Sequence, residues 1–466
     1  FVKDGEIVEN KSVKAAILSG TVSGEKAENL KIDNHEHLFN GVMVTGGKYE
    51  IDGADLNFVG NGGNDFQGYG AGIMTTGDAD VVVKDARIHV EGAIRSAVWC
   101  GGESHLKVED SVIDSKDADP FDNDFRSLSV PMMKCVPFAL GLDGNCRATN
   151  LADYADALYE DCTITSEAWG VMSTDGVRRC RLNLKNCDIA ITGPSGYGAF
   201  SIGDCIDTFE DCRIDVPDYA LIMANETASG VFKNTKVDAG RFAVMCFRNE
   251  GGKLVITDGS VMNTDETTVV VKGCAPIIEA DNCVLSPGNG IILQLMNSDD
   301  PGNPAGYYKD PTEDDTFDPT HDNKTARETY DVIATFKDMT VTGDFYNGST
   351  GKKGDTGPKM EMAPPPGAGP EGPGGPGGPG GGPGGPGAKG NGYDGVRNMA
   401  LTFDNAAVTG IISASKALHR VEKVFKDNCE ELGEVINTAQ PVVNNGVIVT
   451  LKNGATWTVA GTSYLS

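Results

Sequence analysis

Short apolar runs separated by polar clusters fill most of the chain, and one six-residue pattern recurs among them. It reads YEDCTI (159–164), LKNCDI (184–189), FEDCRI (209–214), FKNTKV (232–237), ITDGSV (256–261) and ADNCVL (280–285). Anchored on the fourth residue, Cys162, Cys187, Cys212, Thr235, Gly259 and Cys283 follow one another at steps of 25, 25, 23, 24 and 24 residues. VKDARI (83–88) and VEDSVI (108–113) extend the series upstream, with IDGADL (51–56) a looser match. FKDMTV (336–341) and FDNAAV (403–408) extend it downstream. A β-rich unit of this length has too little depth to bury its own apolar face, so neighbouring units must stack.

A second strand lies between anchors: GIMTTGD (72–78), AVWCGGE (97–103), GVMSTDG (170–176), GAFSIGD (198–204), ALIMANE (220–226), AVMCFRN (243–249) and IILQLMN (291–297). Short apolar runs bounded by Gly, Asn and Asp predict buried parallel strands. No helical segment long enough for a βαβ crossover separates them, which excludes doubly wound folds. The expected fold is all-β, a parallel β-helix solenoid. On these repeats the chain resembles the right-handed parallel β-helix superfamily of pectin-lyase-like proteins over roughly residues 45–410. The resemblance is to an architecture and implies no particular enzyme family. The Cys162–Cys187–Cys212 column and the Cys180–Cys205 pair should then stack at about 4.8 Å per turn, as buried free thiols.

Residues 1–44 are expected to cap one end, and 411–466 to form a short amphipathic helix (KALHRVEKVFKDNCEELGEVI) followed by terminal strands. Three insertions break the period: 114–158, 297–330 and 347–397. The last carries APPPGAGPEGPGGPGGPGGGPGGPGAKG, too rich in Gly and Pro to pack and too irregular for collagen. Insertions on one face of a solenoid often wall its binding face.

Composition narrows the function. Thirty-nine basic against 67 acidic residues give a net charge of −28, which argues against nucleic acid or anionic lipid as partner. No stretch of about twenty apolar residues predicts a membrane span. Twelve cysteines follow the repeat and form neither a compact disulfide framework nor a CxxC pair with zinc spacing.

Candidate chemistry lies on the second strands. One parity collects Met74, Trp99, Met172, Phe200, Ile222, Met245 and Leu293, a series fit for the interior. The other begins with Trp169, Tyr197, Tyr219 and Phe242 and continues through Val171, Ala199, Leu221 and Val244. It then runs through Ser173, Ser201, Met223 and Cys246 to Asp175, Gly203, Asn225 and Arg248. If the second parity faces out, an aromatic row borders a floor with polar edges, which suits the CH faces and hydroxyls of sugars or a flat organic ligand. A slip of one residue exchanges the two faces.

Asp143, Asp175, Asp204, Glu226, Arg248 and Lys272 edge successive turns, with Asn225 and Gln294 as further polar contacts. A carboxylate pair such as Asp175 and Asp204 would serve glycoside hydrolysis. Arg248 or Lys272 as base, with Tyr197 as acid, would serve a lyase, often with Ca²⁺ on a uronate carboxylate. Ser173–Thr174–Asp175–Gly176 resembles the Asn-Thr-Asp-Gly motif of β-helical polygalacturonases. Their Gly-His-Gly and Arg-Ile-Lys motifs have no counterpart here, and no histidine occurs between His105 and His321. His35 and His37 in AsnHisGluHis (34–37) suggest a metal pair or a solvated cap loop, and the carboxylates of 299–322 lack the ligand order of an EF-hand.

The leading expectation is an extracellular or cell-surface carbohydrate-active enzyme, a glycoside hydrolase or polysaccharide lyase, with its substrate in a groove along the solenoid. Two alternatives stand beside it. One is a non-catalytic glycan-binding surface protein or adhesin. The other is an enzyme for a small apolar or aromatic ligand held between the solenoid and the 114–158 insertion.

Overall fold

The recurring hexamer is a turn whose two central residues have separate jobs. Its third residue is Asp or Asn in the left-handed region: Asp85, Asp110, Asp161, Asn186, Asp211, Asn234, Asp258, Asn282, Asp338 and Asn405 all hold φ between 44° and 56°. Asn and Asp enter that region more readily than other L residues. They also bond along the stack, Asn186 Nδ2 donating to Asp161 Oδ1 at 2.5 Å and Asn234 Nδ2 to Asp211 Oδ1 at 2.6 Å.

At most of these turns the next residue is small and buried (Met339 is larger), and where a hydroxyl or thiol stands there that group closes the turn. Cys162, Cys187 and Cys212 donate Sγ–H to the carbonyls of Glu160, Lys185 and Glu210 at 3.2, 3.3 and 3.2 Å. Ser111 and Thr235 bond the carbonyls of Glu109 and Lys233 in the same way. In ITDGSV one extra residue enters the turn, and Ser260, not Gly259, takes this role by bonding the Thr257 carbonyl. All eleven described cysteines are buried free thiols.

The computed structural model describes residues 1–118, 140–175, 179–299, 331–349, 359–360, 397–421, 423–424, 426–442 and 446–466. The chain is all-β, and most of its strands run parallel. Through the repeats each strand pairs with the one a full unit later, giving three ladders. The first includes Ser96–Cys100, Arg147–Leu151, Trp169–Thr174, Gly196–Ile202 and Tyr219–Glu226. The second includes His105–Glu109, Asp156–Glu160, Arg181–Lys185 and Ile206–Glu210. The third includes Arg87–Glu91, Val112–Lys116, Thr163–Ser166 and Asp188–Ile191. Inward side chains from all three form one continuous core, with Phe209 stacked on Phe232 at 5.0 Å and Phe336 on Phe403 at 5.4 Å.

The first insertion is shorter than expected, because Arg147–Leu151 and Asp156–Glu160 are ordinary ladder strands. Residues 119–139, 300–330, 350–358 and 361–396, which hold most of the three insertions, lie outside the described residues. The ladders also run past 410, since Val447–Lys452 pairs with Met399–Asp404 and Thr456–Val459 with Ala407–Gly410.

The expected C-terminal amphipathic helix is absent from the described residues. Ile412–His419 is a strand that continues the first ladder and then pairs antiparallel with Val435–Ala439. Between them, among the described residues, lie the two-residue strand Lys423–Val424 and the 3₁₀ segment Lys426–Glu431, interrupted by non-helical Asn428. An i, i+3, i+4 pattern in that stretch loses to the open hydrogen bonds of the ladder edge. At the opposite end Ile17–Val22 pairs antiparallel with Lys26–Asn34, which itself joins the second and third ladders in parallel.

If the left-handed turn carries the fold, Asn186→Val should destabilise the protein by about 1–3 kcal/mol. Asn186→Gly should stay within about 0.5 kcal/mol of the parent, since glycine adopts that φ freely. Urea denaturation of the two variants checks this, and equal effects would contradict it.

Candidate functional site

Residues of the first ladder alternate between the main core and a second, outer side. Thr75, Cys100, Leu151, Thr174, Ser201, Met223 and Cys246 form an inner row in register. The residues before them, Met74, Trp99, Asn150, Ser173, Phe200, Ile222 and Met245, form the outer row. At the strand starts the alternation breaks. Ala220 and Leu221 both join the main core, as do Ala243 and Val244, while Tyr219 and Phe242 before them belong to the outer cluster.

This break corrects the expected faces. The aromatic residues Trp169, Tyr197, Tyr219 and Phe242 are on the outer side, but Val171, Ala199, Leu221 and Val244 are core. Met74, Trp99, Phe200, Ile222 and Met245, expected inside, are outside. Met172 and Leu293 stay inside because Ser173 pairs with Phe200 and Gln294 with Val270.

Nor is the aromatic row a platform open to solvent. Trp169 is 3% exposed, and Tyr197, Tyr219 and Phe242 are 0% exposed. Leu140, Leu142 and Val435 pack on them, and Tyr219 Oη donates to the Leu140 carbonyl at 2.8 Å. Arg241 lies over the Tyr219 and Phe242 rings, 4.9 and 5.2 Å from their centroids. Its guanidinium bonds the Gly141 and Leu432 carbonyls and pairs with Asp218 at 3.3 Å and Glu434 at 3.4 Å. Burial pushes the Glu434 carboxyl up to about 7 against the pull of Arg241.

Lys272, expected as a base, is sealed at 0% exposure and pairs with Asp299 Oδ1 at 2.9 Å. Asp299 Oδ2 also meets His419 Nε2 at 2.7 Å and accepts the Gly433 N–H at 2.6 Å. Although burial opposes ionisation, Lys272 and then His419 hold this carboxyl below its ordinary range. The group therefore ties the first ladder to the C-terminal segment. Gln294, likewise buried, is spent on the Leu295 carbonyl and Asn437.

Asp175 and Tyr197 come together in a second polar group toward the N-terminal end. Asp175 pairs with Arg147 and accepts from Asn150 Nδ2 at 3.0 Å. The same guanidinium holds Asp65 Oδ2 through Nε at 2.6 Å and lies 5.2 Å from the Phe66 ring. Tyr197 Oη and Ser173 Oγ share a hydrogen bond of 2.7 Å, and the Trp169 ring meets Tyr197 edge-on at 5.8 Å. Side-chain exposures of 7, 4 and 3% for Arg147, Asp65 and Asp175 put the ion triad under cover. Burial raises both carboxyls above their ordinary range against the opposing charge of Arg147, and it raises the Tyr197 phenol too. Asp65 Oδ1, Asp175 Oδ1 and Asn150 Oδ1 are buried without a hydrogen-bond partner, as is Trp99 Nε1 on the strand beside Asn150.

Asp65 reaches the group on the loop GNGGNDFQGYGAG (60–72). The loop can lie flat on the ladder because Gly68 has no side chain, and a Cβ there would stand 2.7 Å from the Trp99 ring. Asn150 Nδ2 donates to the Asp65 carbonyl at 2.9 Å and pins the loop.

The other expected residues are elsewhere. Asp204, the proposed partner of Asp175, is exposed on the following turn, and Asp143 and Arg248 are also exposed. Asn225 is half-buried near the end of the strand Tyr219–Glu226, at φ 60°. His35 pairs with Asp33, while His37 accepts the Asn61 N–H, so the two imidazoles serve separate contacts. Among the described residues no group of three or more His, Cys, Asp or Glu side chains is arranged to hold a metal ion. Among them, too, no helix is long and apolar enough to cross a membrane.

Sequence reasoning passed over Asp65, Arg147 and Asn150. Arg147 left one usable signal, a charge at the strand-start position that Tyr197, Tyr219 and Phe242 fill with rings. Asp65 left none, since its loop belongs to no ladder. Asp207 was missed as well. It is a carboxyl at 0% exposure whose Oδ1 lies 3.0 Å from Thr174 Oγ1 and whose Oδ2 has no partner. Burial pushes it up to about 8. Thr174 Oγ1, the donor to Asp207 Oδ1, also lies 3.2 Å from the Phe200 carbonyl.

Two stability measurements follow from these burials. Asp207 is raised from 3.8 to about 8 in the folded state, so its proton is lost first from the unfolded chain as pH rises. Stability should therefore fall between about pH 4 and pH 8, by at most about 1.4 kcal/mol per pH unit from this group. Asp207→Asn should remove that slope and raise the melting temperature at pH 8. Lys272→Met should cost about 3–5 kcal/mol by stripping Asp299 of its main counter-charge, whereas a solvent-facing base would cost almost nothing. No family model matches the chain, and no curated protein and no solved structure matches it.

Proposed function

We propose that the chain is a right-handed parallel β-helix solenoid, placed outside the cell or on its surface, that hydrolyses a glycosidic bond at the group around Asp65 and Asp175. The observation that carries this reading is the set of three unpartnered buried acceptors, Asp65 Oδ1, Asp175 Oδ1 and Asn150 Oδ1, beside the donor Trp99 Nε1. Buried polar atoms are normally satisfied, and a sugar brings the hydroxyls that would satisfy these.

Two carboxyls on one guanidinium, both raised by burial, favour one proton between them. That is the state a hydrolase needs, an acid to protonate the leaving oxygen and a carboxylate to attack or to activate water. Arg147 holds the ionised partner, and Asn150 orients Asp175. The Tyr197–Ser173 pair and the Trp169 ring line the neighbouring ground. The seal over Tyr219 and Phe242 favours a single sugar end admitted beneath the glycine-rich loop over a polymer lying along the whole face.

The lyase alternative loses support because Lys272 is locked in an ion pair and Arg248 stands apart, exposed in the strand Phe242–Thr257. A non-catalytic glycan-binding surface protein remains the second reading, favoured by the buried aromatic row, since a sealed face suits a scaffold.

The test is release of reducing ends across a panel of oligosaccharides and polysaccharides, with ultraviolet absorbance for unsaturated products and with Ca²⁺ present or chelated. Turnover without absorbance and without Ca²⁺ dependence is expected. Asp65→Asn and Asp175→Asn should each lower kcat/KM by about 10²–10⁴-fold while the folded far-ultraviolet spectrum persists. Glycan binding without any turnover would replace this reading by the second one.

A further inference from the structure

A cavity lies beside the strands Lys26–Asn34 and Val42–Thr45. Leu30, Ile32, Val42 and Tyr49 turn inward as members of the main core, and the short strand Val2–Lys3 pairs in parallel on Val42–Thr45 as the next rung. That strand and the rest of the segment 1–22 enclose with them this cavity of about 530 Å³. That volume falls within the range of small-molecule sites, roughly 300–1,000 Å³. Val13 and Leu38 line it and remain 60 and 44% exposed, so apolar surface continues from the floor to the mouth.

The polar groups of the lining define what it would accept. Tyr49 Oη is committed to the Ser23 carbonyl at 3.3 Å and Ser12 Oγ to the Val8 carbonyl at 2.9 Å. Asn40 donates to the Gly68 carbonyl at 2.7 Å and accepts the Gly70 N–H at 3.1 Å. Lys14 pairs with Glu9 at 2.6 Å. Lys11 differs. Its ammonium has no ion pair among the described residues and stands 5.1 Å from the Phe1 ring centroid. The Phe1 ammonium, also in the lining, donates to Ser12 Oγ at 3.1 Å, so a cation without an ion pair stands on the rim of a largely apolar hollow, which calls for a ligand with an apolar body and a single anionic head.

We infer that this cavity binds an anionic amphiphile, an acyl chain along the Leu30–Ile32–Val42 floor with its carboxylate at Lys11. The site is remote in sequence from Asp65 and Asp175 and does not depend on the glycosidase reading. Burial of the chain supplies most of the affinity, and the head group sets polarity and orientation.

Isothermal titration calorimetry with dodecanoate below its micelle-forming concentration tests it, against dodecanol and dodecyltrimethylammonium. Saturable binding of one dodecanoate per chain is expected, at least about tenfold tighter than the trimethylammonium compound. Lys11→Glu should weaken dodecanoate about fivefold or more without changing the melting temperature. Val13→Asp, at the exposed mouth, should weaken all three ligands. Ile32→Phe, which fills the floor, should abolish binding if the variant folds. Absence of saturable binding overturns the inference, as does binding that ignores the head group and survives both Lys11→Glu and Val13→Asp.

Discussion

Every rung of this protein depends on backbone hydrogen bonds that only its neighbours can complete. A parallel strand pairs nothing within itself, so the chain must leave each strand and return a unit later in matching register. The left-handed Asp or Asn makes that return possible. Its conformation turns the backbone sharply, and its N–H reaches the next rung, as Asp161 N–H does to the Lys185 carbonyl at 3.0 Å and Asn186 N–H to the Glu210 carbonyl at 3.0 Å. A small residue follows at most rungs and fits under the turn between its stacked equivalents, with Met339 the larger exception. Cys162, Cys187 and Cys212 are therefore explained as compact closures, with no redox chemistry required.

Register maintained over so many rungs also creates a second core. A position repeated on successive strands becomes a row, and a row of rings on the outer side is a large apolar surface that water would penalise. The protein covers it with Leu140, Leu142 and the segment that carries Leu432 and Val435. Cations thread this cover. Arg241 lies on two rings and reaches both covering segments, while Lys272 meets Asp299 beneath Gly433. Buried ion pairs of this kind add little net stability, but removing one partner is costly, so they specify where the cover sits.

The Asp65–Arg147–Asp175 group differs from those two in what it leaves over. The Arg241 guanidinium and Asp299 Oδ2 bind backbone of the covering segments, and Asp299 Oδ1, though without a hydrogen bond, faces the Lys272 ammonium at 2.9 Å. The triad leaves two carboxyl oxygens without a hydrogen-bond partner, and Asn150 beside it leaves a third acceptor. A network partly satisfied in a low-dielectric site is expensive to maintain for stability alone. That cost is why the chemistry is assigned here and not to the better-satisfied charges along the same face.

Local sequence was enough to specify the turns, the parallel rungs and the buried thiols, because a short pattern repeated at nearly constant spacing leaves few ways to satisfy the backbone. The same repetition misled on faces. Tyr197 and Ala199 are two residues apart, which in a regular strand means one side, yet the doubled core residues at the strand start put them on opposite sides. The C-terminal segment misled for a related reason, since its helical spacing competes with a ladder edge that no local pattern reveals. Asp65 could be placed against Arg147 and Asp175 only by folding, because a glycine-rich loop outside the repeat carries it across the ladder. The sequence by itself thus determined the architecture, through periodicity. Which charges share a guanidinium, and which rings are sealed from water, was decided only when segments distant along the chain packed on the same face.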